Sequence, residues 1–98
     1  MVTNNLFDNN PKIDAFVFID ESNRFYFTRF ETSFGAVVLS RGKNVFITDF
    51  RYEAEAREHV EDFDIVITTY KDFYAKIAET LTALGAKSVG FGEKIYID

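Results

Sequence analysis

The stretch that decides the fold is FGAVVLS (residues 34–40), RGKN (41–44) and VFITD (45–49). Two short apolar runs rich in β-branched residues flank a polar break. Gly42 and Asn44 both tolerate positive φ, so the break reads as a hairpin turn and the strands as an antiparallel pair. Upstream, AFVFI (15–19) is another continuous apolar run, the pattern of a strand covered on both faces. Asp20 is placed to cap a short helix reaching about Phe25. Downstream, RYEAEAREHV (51–60) has helical period, with Tyr52, Ala56 and Val60 on one face and Glu53 one turn before Arg57.

DIVIT (64–68) reads as a further apolar strand. Thr69 and Asp72 have capping-box spacing. The helix that follows is expected to bury Phe73, Ile77, Leu81 and Leu84, and Gly85 supplies a left-handed stop. SVGF (88–91) reads as a last buried strand. The tail EKIYID alternates, as either an edge strand or the start of a linker. Residues 1–12, with four Asn and the only Pro, read as an irregular lead-in or at most a short turn of helix. The order strand–helix–hairpin–helix–strand–helix–strand predicts an α/β fold, a mixed β-sheet flanked by helices.

Composition narrows the function. Ninety-eight residues make one domain. A chain of this size buries roughly 60–70% of its unfolded surface, enough for one core. Twelve Phe and five Tyr suggest a core filled with rings. The net charge is −5, and residues 49–64 alone account for it, with seven acids against Arg51 and Arg57. That concentration reads as one solvated helix face. An acidic chain without a basic stripe argues against nucleic acid and anionic membrane as partners. Without cysteine there is no disulfide, thiolate metal site or Cys nucleophile. No apolar run approaches a membrane span, and the Asn-rich start does not resemble a signal peptide, so the cytoplasm is the expected compartment.

Chemistry is sparse. The only His, His59, lies on a charged helix with Glu55 four residues before it. Two groups are too few for a metal site, and a solvated helix face accounts for them. Gly90-x-Gly92 follows a strand, but no Gly-rich turn and helix continue from it, so the dinucleotide fingerprint fails. Gly35 marks either a close backbone approach or a bulge. Two stretches stand out: Asn23 to Phe30, which mixes large rings with two Arg, and Asp49-Phe50-Arg51-Tyr52 at a strand-to-helix junction. Strand ends of α/β sheets are common ligand positions.

These stretches resemble the N-terminal domain of the creatinase/prolidase family, whose members carry N-x-x-Y-L-T-G-F-x-G-S-x-G and later T-D-x-R-Y-x-x-x-A. Asn23, Tyr26, Thr28, Phe30, Ser33 and Gly35 match the first pattern, and Thr48, Asp49, Arg51, Tyr52 and Ala56 the second. DAFVFI and FDIVI resemble the family's adjoining strands, so the similarity runs from about Asp14 to Gly92. Arg29 and Thr32 stand where the family has Gly, and the helix before the first strand is short or absent.

The resemblance implies a ribonuclease-H-like mixed sheet over residues 13–98. It also implies a C-terminal catalytic domain of the same polypeptide, with the pita-bread fold, that lies outside this chain. That domain would hold two divalent metal ions (Mn, Co or Zn) and hydrolyse the bond before proline in a peptide substrate, as in aminopeptidase P or prolidase. The parent protein would then be a hydrolase, and no catalytic or metal residue would lie in this chain. In the family the N-terminal domain supports a homodimer and walls the active-site cleft, which makes Tyr26, Arg51 and Tyr52 candidate interface or substrate-wall residues. A creatinase-type amidinohydrolase and a freestanding acidic interaction module are the alternatives.

Overall fold

In the computed structural model, residues 3–92 are described. The elements are α1 (Thr3–Asn9), β1 (Ala15–Phe18), α2 (Glu21–Thr28), β2 (Ala36–Ser40) and β3 (Asn44–Thr48). There follow a 3-10 turn (Phe50–Tyr52), α3 (Glu53–His59), β4 (Asp64–Ile67), α4 (Phe73–Ala83) and β5 (Val89–Gly92). The five strands form one mixed sheet in the order β4-β3-β2-β1-β5. β2 runs antiparallel to both β1 and β3, while the outer strands β4 and β5 pair parallel with β3 and β1.

The apolar runs of β1, β2 and β3 form the centre of the sheet because they are buried on both faces. Alternation sends Phe16, Phe18, Val37, Leu39 and Phe46 to one face, where Leu6, Phe7, Phe27, Ala56 and Val60 from the helices and their flanks meet them. Val17, Ala36, Val38, Val45 and Ile47 face the other way, against Phe73 and Ile77 of α4. The first layer is largely aromatic. Phe7 meets Phe16 edge-on with ring centres 5.2 Å apart, and Phe18 meets Phe27 at 5.1 Å. Not every ring is inside: Phe50, Phe91, Tyr70 and Tyr74 are exposed.

Local signals explain the helix ends. The Asp20 carboxylate accepts from the Asn23 amide at 2.9 Å and starts α2. That helix runs past Phe25 to Thr28 and ends on Arg29, which adopts a left-handed conformation with φ 58 while its amide donates to the Phe25 carbonyl. Glu53 and Arg57 pair at 3.0 Å on α3. Before α4, the Asp72 amide donates to Thr69 Oγ1 at 3.1 Å, but the Asp72 carboxylate meets the same hydroxyl at 3.1 Å, so only half of a capping box forms. Leu81 and Leu84 are half-buried, and Gly85 ends the helix with φ 72.

Three expectations change. Residues 3–9 form a seven-residue helix where an irregular lead-in or at most a short turn of helix is expected, because Leu6 and Phe7 find an apolar face on the sheet. The hairpin turn does not use the positive φ available to Gly42 and Asn44. Among the described residues only Arg29, Asp62 and Gly85 have positive φ. The turn closes instead through Ser40, whose Oγ accepts from the Lys43 amide at 3.1 Å and also bonds the Lys43 carbonyl. The last strand, β5, is not buried. It is an edge strand, half-buried, with Phe91 68% exposed. The alternating tail EKIYID lies outside the described residues.

Gly35 resolves as a close approach. A Cβ there would sit 2.8 Å from the Ile47 carbonyl oxygen and 3.1 Å from the Phe46 ring. Gly35→Ala is therefore expected to lower stability by about 1–3 kcal/mol, because backbone has to move to make room. Gly42→Ala, with nothing within 4 Å of the added carbon, is the control and should change little. Thermal unfolding of both variants checks this, and equal midpoints would refute the close approach.

Candidate functional site

The loops after β1, β3 and β4, together with the loop before β2, meet at one end of the sheet. Their placement rests on a buried arginine. Arg24 is 6% exposed, and its guanidinium donates to the Ile19 carbonyl and, at 2.7 Å, to the Thr32 carbonyl. This ties the end of β1 to the 29–35 loop. Thr28 holds the start of that loop, with its Oγ1 donating to the Arg24 carbonyl at 2.7 Å and accepting from the Phe30 amide at 3.1 Å. Thr48 Oγ1 holds the other end, donating to the Phe34 carbonyl at 2.7 Å.

The loop so fixed delivers Ser33 to Tyr52. The two hydroxyls lie 2.7 Å apart, and the Ser33 amide donates to the Tyr52 oxygen at 3.2 Å. These bonds favour the phenolate and hold the Tyr52 hydroxyl below the usual tyrosine range. Beside it, Arg51 closes on the nearly buried Asp49, with Nη2 2.7 Å and Nε 3.2 Å from Oδ2. Asp49 also accepts from the Arg51 amide at 2.9 Å and so starts the 3-10 turn. The Arg51 side chain, through its hydrogen bonds, is the main reason the Asp49 carboxyl lies below its ordinary value.

Of the three residues singled out from sequence, Arg51 and Tyr52 come together, with the guanidinium carbon 5.3 Å from the Tyr52 ring centre. Tyr26 has other neighbours. Its ring packs edge-on against Phe27 at 5.1 Å and lies 5.7 Å from the Arg29 guanidinium. His59 and Glu55 are exposed on α3. Among the described residues no group of three or more His, Cys, Asp or Glu is positioned to hold a metal ion. Gly90 lies within β5, where a Cβ would sit 2.7 Å from the Phe16 ring, so packing accounts for it. Sequence reasoning missed Arg24 as the organising residue. Its only signal is its place among rings in Asn23 to Phe30.

A five-stranded mixed sheet with a hairpin at its centre and loops 29–35 and 49–52 locked together defines a small α/β domain of recognisable kind. Residues 9–96 match the Creatinase/Prolidase N-terminal domain, and the chain belongs to that family. It is 37% identical over 79 residues to the uncharacterized peptidase YqhT of Bacillus subtilis (strain 168), a match that covers 81% of this chain and 22% of that protein. The fold superposes on the Xaa-Pro dipeptidase from Bacillus anthracis with a TM-score of 0.82 and 27% identity, covering 92% of this chain and 26% of that one. The X-Pro aminopeptidase from Thermotoga maritima MSB8 gives a TM-score of 0.73 and 26% identity, covering 81% and 24%. The chain thus spans about a quarter of the length of these relatives. No described helix is long and apolar enough to cross a membrane.

The Asp49 pairing predicts a pH dependence. A depressed carboxyl pKa stabilises the fold above the ordinary carboxylate range, and that contribution is lost as pH falls through the lowered value. Asp49→Asn keeps the Oδ1 acceptor that starts the 3-10 turn but replaces the charged Oδ2, which accepts from the Arg51 guanidinium, with a donating amide. It should lower the thermal midpoint at about pH 7 and cost progressively less towards about pH 3. A penalty independent of pH would show that the charge does not matter.

Proposed function

We propose that this chain serves as the non-catalytic N-terminal domain of a metal-dependent Xaa-Pro peptidase of aminopeptidase P or prolidase type. The observation that carries the reading is the family match over residues 9–96 in a chain spanning about a quarter of its peptidase relatives. On this reading a C-terminal domain of the same polypeptide holds two divalent metal ions, Mn, Co or Zn. Such ions would supply the activation of water for hydrolysis of the bond before proline. The domain in hand contributes to a homodimer and to one wall of the substrate cleft, in the cytoplasm.

Arg51 and Tyr52 are the residues assigned to that surface. Arg51 is exposed and held in one orientation by Asp49, and Tyr52 is held by Ser33, so both present polar groups with little rotamer freedom left to lose. Preorganised groups of this kind suit a wall that positions a peptide or meets a partner subunit. Tyr26 is retained as a candidate for the same surface on the strength of its place in the family pattern.

Two measurements test the reading. The purified 98-residue chain, supplied with Mn, Co or Zn ions, should leave a Gly-Pro dipeptide intact, and metal-dependent cleavage would overturn the assignment of chemistry to another domain. Arg51→Ala in the chain joined to its catalytic half should lower kcat/KM or weaken dimerisation by roughly tenfold. The same change in the isolated chain should shift the unfolding midpoint only modestly. A large loss of stability with no effect on activity or assembly would make Arg51 a purely structural residue.

A further inference from the structure

A cleft of ≈ 220 Å³ opens at the same end of the sheet, between the 33–35 segment and the start of α4. Phe34, Tyr70 and Tyr74 line it, with Phe34 and Tyr70 ring centres 5.5 Å apart. Tyr70 and Tyr74 are 83% and 72% exposed, so flat apolar surface faces solvent here. Arg24 also lines the cleft, although only 6% of its surface is exposed.

The bonding of Arg24 is incomplete for a buried cation. Its guanidinium meets two neutral carbonyls, those of Ile19 and Thr32, and its Nε has no hydrogen-bond partner. Among the described residues none forms an ion pair with it. A buried guanidinium ordinarily has a hydrogen-bonded carboxylate, because desolvation is offset only by good pairing; here Glu21 and Asp20 attract it through space without bonding it. Burial accordingly draws this one below its usual pKa. Asp20, which lines the adjoining hollow, is committed to the Asn23 amide and side chain. The 11-residue helix α4 begins at this cleft, with Phe73 and Tyr74 in its lining, so the positive end of its dipole adds to the cationic field.

We propose that this cleft binds a carboxylate borne on a flat apolar body, with the charge against Arg24 and the body laid on the exposed faces of the Phe34, Tyr70 and Tyr74 rings. The planar guanidinium matches a carboxylate in shape and charge, and a concave aromatic lining with one polar anchor is the usual make-up of a small-ligand site. The volume limits the ligand to about one ring with its acid group. The site does not depend on the dimer or cleft-wall reading.

Phenylacetate is the probe, with phenylacetamide as its uncharged counterpart. Titrated into the 15N-labelled chain, phenylacetate should shift the amides of Phe34, Gly35, Tyr70 and Tyr74 saturably, with a dissociation constant on the order of 1 mM. Phenylacetamide should bind at least fivefold more weakly. Tyr74→Ser, at an exposed position that leaves the core intact, should weaken phenylacetate by fivefold or more. Arg24→Gln, which removes the charge, should abolish the preference for acid over amide. The peptide Ala-Ala-Phe and its C-terminal amide distinguish the source of the carboxylate: tighter binding of the peptide acid than of phenylacetate assigns a peptide C-terminus, and the reverse order assigns a free acid. No saturable shift up to about 20 mM, equal binding of acid and amide, or an unchanged affinity in Tyr74→Ser would overturn the proposal.

Discussion

Gly35 lies so close to β3 that the course of the loop before β2 has almost no freedom. The Ile47 carbonyl oxygen occupies the space a side chain would need, and Thr48 Oγ1 holds the neighbouring Phe34 carbonyl at 2.7 Å. With that segment pinned, Ser33 has one place to go, and it is within 2.7 Å of the Tyr52 hydroxyl. Tyr52 in turn follows the 3-10 turn that Asp49 starts at the end of β3. The close approach of Gly35, just before β2, to β3 therefore joins Arg24 in setting the geometry of the polar surface at the sheet end. Fold and site share the same constraint, and the residues of the two family patterns fall on its two sides.

The second tie in this region is Arg24, and its chemistry explains why a long cation is buried in a small domain. One planar group reaches two carbonyls eight or fewer residues away, on both sides of α2. A lysine offers a compact point charge on a flexible stem and lacks the fixed fork that spans both. The cost is a desolvated charge whose hydrogen bonds go to neutral carbonyls, with Glu21 and Asp20 attracting it only through space. The gain is a loop without regular structure that nevertheless has a fixed path, anchored at Thr28, Thr32 and Phe34.

Much of the fold was legible because it depends on patterns that act locally or on whole strands. The runs at 15–19, 34–40 and 45–49 can be buried on both faces only as central strands, and Glu53 with Arg57 marks one solvated helix turn. The family resemblance was legible for a related reason, since its residues are those that shape loops 29–35 and 49–52. What escaped depends on tertiary context. Arg29 takes the left-handed position that Gly fills in the family pattern, so the turn keeps its shape with a different residue. A side chain at φ 58 costs roughly 1–2 kcal/mol locally, and the surrounding bonds of Arg24 and Thr28 hold it there. Nothing in the sequence distinguishes Arg24, buried, from Arg29, exposed, because the difference lies in which face of α2 meets the loop. Asp49-Phe50-Arg51-Tyr52 drew attention as a junction, but its link to Ser33 crosses 19 residues and is invisible to spacing.

The imbalance between the two layers accounts for the remaining departure, the exposed last strand. Leu6 and Phe7 of α1, Phe27 of α2 and Ala56 of α3 cover one face of the sheet, while α4 covers the other. An 11-residue helix is about 16 Å long and about 10 Å wide, whereas five strands spaced about 4.8 Å apart span roughly 19 Å. One helix cannot reach across them. It packs mainly on β2 and β3, and of β5 only Val89 joins the cluster beneath it. Phe91 pairs in register with Val17 and so faces the α4 side, where it shares an open hollow with Tyr74 and remains 68% exposed. The exposed rings at this end follow from strand number against helix number, which no reading of SVGF by itself could supply. The same shortfall leaves the start of α4 standing clear of β1, and Val17, Tyr74 and Phe91 line the open hollow between them.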